Sequence, residues 1–451
     1  MNPPSSQSTD RGILSPLLTL PPEIREQIYS ILLRSANNRI EPPKSPSPDR
    51  QKEEVLEEDK EGTGPVYKFD LRVLRLCRLV YTEAKKIFDN NIFVKVTTGW
   101  EKAISHVNVD GNVGLILRDE SDRTRRPASD FTIFHLRVLV ESPDFPYVGA
   151  YTNETFSLVT CLEDVELYAR IWQFSNLSSG RALNPHLTLR LDLKNPRNSN
   201  VPLPRRLQEK LLLPFGKVKD LPDTSFDFHG SPFFPSGVVD PTVCAAVEAE
   251  QAIPTPTPSQ CLEDCNRLLQ SGKTLYNERK YEQALTTFLK SFEHIHIFNR
   301  GREREVHCDA YYSLDIPDRE FKGQSGQHVR MRLRVELVAS VMRTFVQLGQ
   351  FAEAWFWGKR SIRTFRYSMQ DTDEIGGEGW EDWIEEMKRW HFPGKKEMVQ
   401  IALEAEGAGR ALAEGKGEEE WNGEEKEIWR ALQLAVKTLA GGSYDSEGVA
   451  R

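Results

Sequence analysis

The chain has 451 residues, of which 39% are hydrophobic and 28% are charged. At roughly 100 to 200 residues per domain, this length predicts two or three domains rather than one small module. The formal net charge of −8 lacks the basic excess typical of nucleic-acid binders, so we expect no nucleic-acid partner. The sequence has neither a secretory signal pattern nor an apolar run of about 18 residues, which argues against a membrane partner. Its six scattered cysteines favour a reducing cytoplasmic or nuclear location.

The amino-terminal residues predict one short amphipathic helix. Leu20 leads into Pro21, Pro22 and Glu23, and apolar residues then recur at helical spacing at Ile24, Ile28, Ile31 and Leu32. Proline suits the first helical turn, where its missing N–H is not needed, and the glutamate complements the positive end of the helix dipole. Residues 1–14 and the tail 441–451 are expected to be disordered.

A disordered insertion is predicted at residues 35–65, which are rich in proline and charge. Order is expected to return at Phe69, where apolar residues up to Phe88 fall on one broad helical face. A strand-like run follows at Ile92 to Val96, and Asp110-Gly111 predicts a hairpin.

Residues 92–250 are predicted to form a mixed α/β or mostly β domain. Further strands are expected at residues 131–140, 165–171 and 187–193. Residues 196–258 contain many prolines and no sustained periodicity, and residues 251–258 end in the sequence PTPTP. We interpret residues 251–258 as an extended interdomain linker.

Residues 259–440 predict pairs of antiparallel helices. Gly272, Tyr281, Ala284 and Phe288 have the spacing of a helix-turn-helix repeat, in which small residues let two helices approach closely. A similar signal returns seventy residues later, around Gly349 and Ala354, and a weaker third pair is expected at residues 397–412 and 425–439. We therefore expect an α+β chain that ends in a short helical array.

The two predicted helical segments at the start of the chain resemble the F-box and F-box-related domains that are abundant in filamentous fungi. The resemblance covers residues 15–34 and 66–96. It implies docking on Skp1, a subunit of a cullin-based ubiquitin ligase, through an apolar ridge, as in helix-in-groove recognition. The alternative is that the ridge packs on the protein's own sheet. The ridge comprises Leu20, Pro21, Pro22, Ile24, Ile28, Ile31 and Leu32.

The later helical pairs resemble tetratricopeptide repeats, which implies a concave surface for a partner protein. A basic stripe at Lys359, Arg360, Arg363 and Arg366 would suit an acidic peptide, although an ordinary solvated face gives the same pattern. Two functions stay open: a ubiquitin-ligase adaptor with an unknown substrate protein, and a scaffold whose F-box-like helices are purely structural.

Neither enzymatic activity nor a cofactor is expected, because the sequence contains no phosphate-binding glycine loop, nucleophile elbow or dinucleotide fingerprint. A divergent enzyme within residues 92–250 is the third alternative. Cys261 and Cys265 match no closed zinc pattern, so we expect no metal and interpret both as core residues.

Overall fold

The computed structural model describes residues 16–41, 64–99, 103–104, 106–119, 127–142, 155–198, 201–228, 239–300, 303–358 and 361. The chain forms two compact units, Met1–Pro254 and Thr255–Arg451. Helices and a sheet are both present, which is compatible with the predicted α+β class. Within the described ranges, no helix is both long and apolar enough to cross a membrane.

Unit 1 begins with a group of helices that share one small core. Tyr29 and Leu33 are fully buried there, and they contact Val80 and Ala84 on a later helix. The helix that carries Tyr29 and Leu33 therefore packs in a helical core and not on the strands. The helices are α1 (Pro16–Thr19), α2 (Pro22–Leu33), α3 (Ser35–Asn38), the 3₁₀ turn Leu71–Arg75 and α4 (Arg78–Phe88).

A short antiparallel ladder links the two sides of the predicted insertion. It consists of β1 (Arg39–Ile40) and β2 (Val66–Tyr67), with Ile40 paired to Val66. The predicted bounds of 35–65 are therefore too wide, because residues 35–41 and 64–65 belong to the folded unit. Composition alone missed them because tertiary contacts hold this ladder together: the Tyr67 hydroxyl and the Arg39 guanidinium both bond to the buried Asp164.

A six-stranded mixed sheet forms the centre of unit 1. Its strands are β3 (Phe93–Thr98), β4 (Leu117–Arg118), β5 (Leu136–Glu141), β6 (Phe156–Cys161), β7 (Thr188–Leu193) and β8 (Asp223–Phe228). The spatial order is β4-β6-β3-β5-β7-β8, with parallel pairing between β3 and β5 and between β7 and β8, and antiparallel pairing elsewhere. The prediction of strands near 92–96, 131–140 and 187–193 is confirmed in its essentials.

Two local predictions for this unit were wrong. The strand expected at 165–171 is helix α5 (Val165–Ser178), whose run of buried residues looks the same in a buried strand and a buried helix. The hairpin expected at Asp110-Gly111 is a π-helical turn, His106–Asp110. Residues 196–258, which show no sustained periodicity in sequence, contain β8 and the helices α6 (Arg205–Leu212) and α7 (Pro241–Ala252).

The described part of unit 2 consists of helices with a small hairpin between them. Helix α8 (Pro258–Asn277) starts with a capping box in which Thr257 and Gln260 satisfy each other's backbone N–H groups. Because α7 ends at Ala252, the extended part of the predicted linker is residues 253–257. The elements are α8 (Pro258–Asn277), α9 (Tyr281–His294), β9 (Ile297–Arg300), β10 (Glu303–Val306), the 3₁₀ turn Asp309–Tyr312, α10 (Gly326–Gln347) and a helix at 351–358.

Several predicted segments lie outside the described residues. The third pair at 397–412 and 425–439 lies outside the described residues, as do the expected tail at 441–451 and the start at 1–14. Lys359, Arg360, Arg363 and Arg366 of the basic stripe also lie outside them.

Candidate partner-binding surface

Helix α2 has two distinct faces. Its buried face carries Arg25, Tyr29 and Leu33. At about 100° per residue, Ile24, Ile28 and Ile31 form a stripe centred about 130° from that face. Ile24 is 41% exposed and Ile31 is 63% exposed. The outer stripe therefore presents apolar side chains to solvent.

The other predicted ridge residues are unequally accessible. Ile28, Leu32 and Leu20 are half-buried, and Leu32 packs against the core of the helical group. Pro21 and Pro22 are exposed at the start of the helix. We define the α2 stripe as Ile24, Ile28 and Ile31, with Ile24 and Ile31 as its accessible ends.

A partly buried ion pair fixes the direction in which the α2 stripe points. Arg25 donates from Nε and Nη2 to the two carboxylate oxygens of Glu83 on α4, at 2.9 and 2.6 Å, and from Nη1 to the Leu20 carbonyl at 2.6 Å. The Tyr29 hydroxyl donates to the same carboxylate at 3.2 Å. The guanidinium of Arg25 lowers the pKa of Glu83 below its usual value. Because a two-pronged arginine–carboxylate pair has a fixed geometry, it sets the rotation of α2 on α4.

The helical group is also attached firmly to the sheet. Asn91, just before β3, donates from Nδ2 to the Leu33 carbonyl at 2.7 Å and accepts the Ser35 backbone N–H at 2.9 Å. The ring of Phe88 on α4 contacts Phe69 edge-on and Phe93 of β3 at a tilt, with ring centroids 5.6 and 5.8 Å apart. The α2 stripe is therefore held on a rigid support.

More apolar side chains are exposed on the same helical group. Leu71, Leu76, Leu79 and Tyr81 each expose between 45% and 62% of their surface. The sequence placed Leu76 on one broad apolar face of a second helix or a bent pair of helices. The structure has a 3₁₀ turn followed by α4, and Leu76 lies exposed between them. Sequence reasoning also missed the pairing of Arg25 with Glu83, because a contact between residues 58 positions apart leaves no local signal.

The first helix pair of unit 2 is closely packed. A Cβ atom at Gly272 of α8 would lie 2.4 Å from Cε1 of Phe288 on α9, so only glycine fits there at the present helix separation. Cys261 and Cys265 lie in the same core, and burial raises the pKa of the Cys261 thiol to about 12. Among the described residues, no group of three or more histidine, cysteine, aspartate or glutamate side chains could hold a metal ion.

Comparison of the chain with protein-family models, curated proteins and solved structures found no significant match. The resemblances to F-box domains and to tetratricopeptide repeats therefore depend on the sequence patterns alone. The structure shows an exposed apolar stripe on unit 1 and a closely packed helix pair, α8 with α9, in unit 2.

Proposed function

We propose that this protein is a protein-binding adaptor that docks on Skp1 through the α2 stripe and holds a second protein through the helix pairs of unit 2. The observation that carries the proposal is the exposure of Ile24 and Ile31 on a helix whose rotation is fixed by Arg25 and Glu83. An apolar stripe at spacings of four and three residues suits a groove on another helical protein. The fixed support lowers the entropy lost on binding.

A second function is a scaffold that uses unit 2 alone, with the amino-terminal helices serving as part of the fold of unit 1. The burial of Tyr29 and Leu33 and the half-burial of Ile28 and Leu32 favour it, because these residues already have partners inside the chain. The two functions differ in one measurable respect, which is the affinity of the α2 stripe for Skp1.

The test compares two single substitutions on α2 in the full-length protein. Ile31→Asp places a charge on the α2 stripe, and Ser30→Asp places the same charge on the adjacent residue, which lies about 100° around the helix from Ile31 and is half-buried. We expect wild-type protein to bind purified Skp1 in biolayer interferometry. Ile31→Asp should weaken this binding at least tenfold and Ser30→Asp less than twofold, while circular dichroism shows the same helix content for all three proteins.

Absence of Skp1 binding by the wild-type protein would overturn the adaptor proposal and leave the scaffold. Equal weakening by both substitutions would mean that general negative charge, and not the α2 stripe, controls the interaction.

A further inference from the structure

A cavity of about 350 Å³ lies between the sheet and helix α5, and no residue of the α2 stripe lines it. Strands β3, β5 and β6 contribute Val96, Val140 and Leu158, and the helix contributes Trp172. Protein interiors contain few voids larger than a water molecule. An engineered cavity of about 150 Å³ with a similar lining binds benzene, so the space here matches about fourteen non-hydrogen atoms.

One side of this cavity is polar and open to solvent. His106 and Ser175 both line it, and the His106 side chain is 44% exposed. His106 Nε2 lies 2.8 Å from Ser175 Oγ, and His106 Nδ1 lies 2.8 Å from a carboxylate oxygen of Asp110, which is 64% exposed. Ser175 Oγ also lies 3.0 Å from the Ile171 carbonyl, to which it can donate. The cavity therefore has an apolar interior with a hydrogen-bonding rim.

The Ser175 hydroxyl on the rim can accept a hydrogen bond from a ligand whichever form His106 takes. When His106 is neutral with its proton on Nδ1, that nitrogen donates to Asp110 and Nε2 accepts the Ser175 hydroxyl proton. When His106 is protonated, Nε2 donates to Ser175 Oγ and the hydroxyl turns to the Ile171 carbonyl. Ser175 can thus present a lone pair to a ligand hydroxyl in either state.

Asp110, His106 and Ser175 are hydrogen-bonded in the order found in a Ser-His-Asp catalytic triad. The backbone around Ser175, however, does not suit acyl transfer. Ser175 lies within α5, where the amide N–H groups bond along the helix. They cannot also stabilise a developing oxyanion, as such a reaction requires. The arrangement is suited to holding a ligand.

We propose that this cavity binds a small apolar molecule, of ring or short-chain shape, that carries one hydroxyl group. The apolar part lies against Val96, Val140, Leu158 and Trp172, and the hydroxyl group bonds to Ser175 at the rim. Small-molecule sites typically combine an apolar lining with a few placed polar groups in this way. The site is independent of Skp1 binding, since none of its residues belongs to the α2 stripe.

The test uses 2-naphthol as the probe and naphthalene as its matched control without the hydroxyl group. Equilibrium dialysis of the full-length protein should show saturable binding of both. Ser175→Ala should weaken 2-naphthol binding about fivefold, the effect of one neutral hydrogen bond, and leave naphthalene binding unchanged.

Two substitutions fill the cavity from half-buried positions on its lining. Ala103→Phe and Leu183→Trp should each weaken the binding of both probes at least twentyfold, with an unchanged circular dichroism spectrum in at least one of them. Ala182→Phe adds the same ring at an exposed position that is not part of the lining, and it should leave binding unchanged.

Failure of the wild-type protein to bind either probe saturably would overturn the proposal. Equal binding by wild type and by a folded, filled variant would do the same, because the probes would then occupy another surface. Equal weakening of both probes by Ser175→Ala would overturn the role of Ser175 in recognising the hydroxyl group.

Discussion

At the scale of single residues, buried carboxylates connect parts of unit 1 that are distant in sequence. Asp164, which is fully buried, accepts hydrogen bonds from the Tyr67 hydroxyl at 2.8 Å, the Gly114 backbone N–H at 2.9 Å and Arg39 Nε at 3.1 Å. Burial, with the nearby Asp164 charge, raises the pKa of Tyr67 well above its ordinary value. One side chain thereby joins the β1–β2 ladder to the segment before β4 and to the start of α5.

Replacement of this carboxylate should be among the most damaging single changes in unit 1. Asp164→Ala removes the acceptor from three buried donors, one of them charged, and we expect a loss of about 3 to 5 kcal/mol in the free energy of unfolding. Urea denaturation followed by circular dichroism measures it. Glu209→Gln, which removes one partner of the solvent-exposed pair with Arg205, is the control and should cost less than about 0.5 kcal/mol. A similar small cost for both would show that the Asp164 bonds contribute little.

At the scale of elements, the helices of unit 2 are specified by small residues and by a buried arginine. Gly272 permits the close approach of α8 and α9. Arg330 of α10, only 3% exposed, donates from Nε to the Ile295 carbonyl at 3.0 Å, pairs with Asp309, and lies with its guanidinium 4.6 Å from the ring centre of Tyr312. It ties α10 to the end of α9 and to the 3₁₀ turn, so the hairpin region between the helix pairs is part of the packed unit.

The contact between α8 and α9 predicts that a larger residue at Gly272 destabilises the pair and that a smaller residue at Phe288 restores part of the stability. Alanine normally favours a helix over glycine by about 1 kcal/mol, but Gly272→Ala places Cβ only 2.4 Å from a ring carbon of Phe288. We expect a net loss of about 1 to 2 kcal/mol, since overpacking a filled core costs more than the helix gains. Hydrogen exchange measured by mass spectrometry should show faster exchange in α8 and α9.

The double variant Gly272→Ala with Phe288→Leu supplies the control for that prediction. The smaller side chain makes room for the new Cβ, so the combined loss should fall at least about 1 kcal/mol short of the sum of the single losses. Strict additivity would indicate that the ring moves aside freely and that helix separation does not depend on Gly272.

At the scale of the whole molecule, both units bury histidine side chains, and burial opposes their protonation. Burial lowers the pKa of His135 in unit 1 to about 4, and Phe93 donates its backbone N–H to His135 Nδ1 at 3.3 Å. Burial and the Arg330 charge lower the pKa of His296 in unit 2 to about 3, where its Nδ1 lies 2.7 Å from the Tyr312 hydroxyl. Both rings therefore resist protonation only while the protein is folded.

Acid should destabilise both units through these histidines. An unfolded histidine takes up a proton near pH 6.5, whereas His135 does so only near pH 4, so the unfolded state binds more protons between these values. Stability should be highest above pH 6.5 and should fall as the pH is lowered towards 4. His135→Asn keeps an acceptor for the Phe93 N–H but cannot titrate.

Urea denaturation at pH 7.5 and pH 5.0 measures this dependence. The variant should lose less stability than wild type between the two values. An identical loss in both proteins would assign the acid sensitivity to other groups.

The sequence predicted those parts of the fold whose pattern is local. The amphipathic start of α2, the alternation in β7 and the small residues of the α8–α9 pair were all readable. The helix α5 was read as a strand because burial on nearly all sides removes its periodicity.

The candidate sites were less readable. Ile24 and Ile31 were predicted as part of the ridge, but the sequence could not indicate that the buried face would be formed by Arg25, Tyr29 and Leu33 instead. His106 and Ser175 meet across 69 positions, a distance over which a single sequence carries no signal.

The β1–β2 ladder has an engineering consequence. Because Ile40 pairs with Val66, the ladder holds two positions that are 26 residues apart in sequence side by side. The entropy cost of closing a flexible chain between two fixed points grows slowly with its length, by only about 0.6 kcal/mol for each doubling. Glycine-serine residues added between the two strands should therefore cost little stability, because the ladder already fixes the chain on either side.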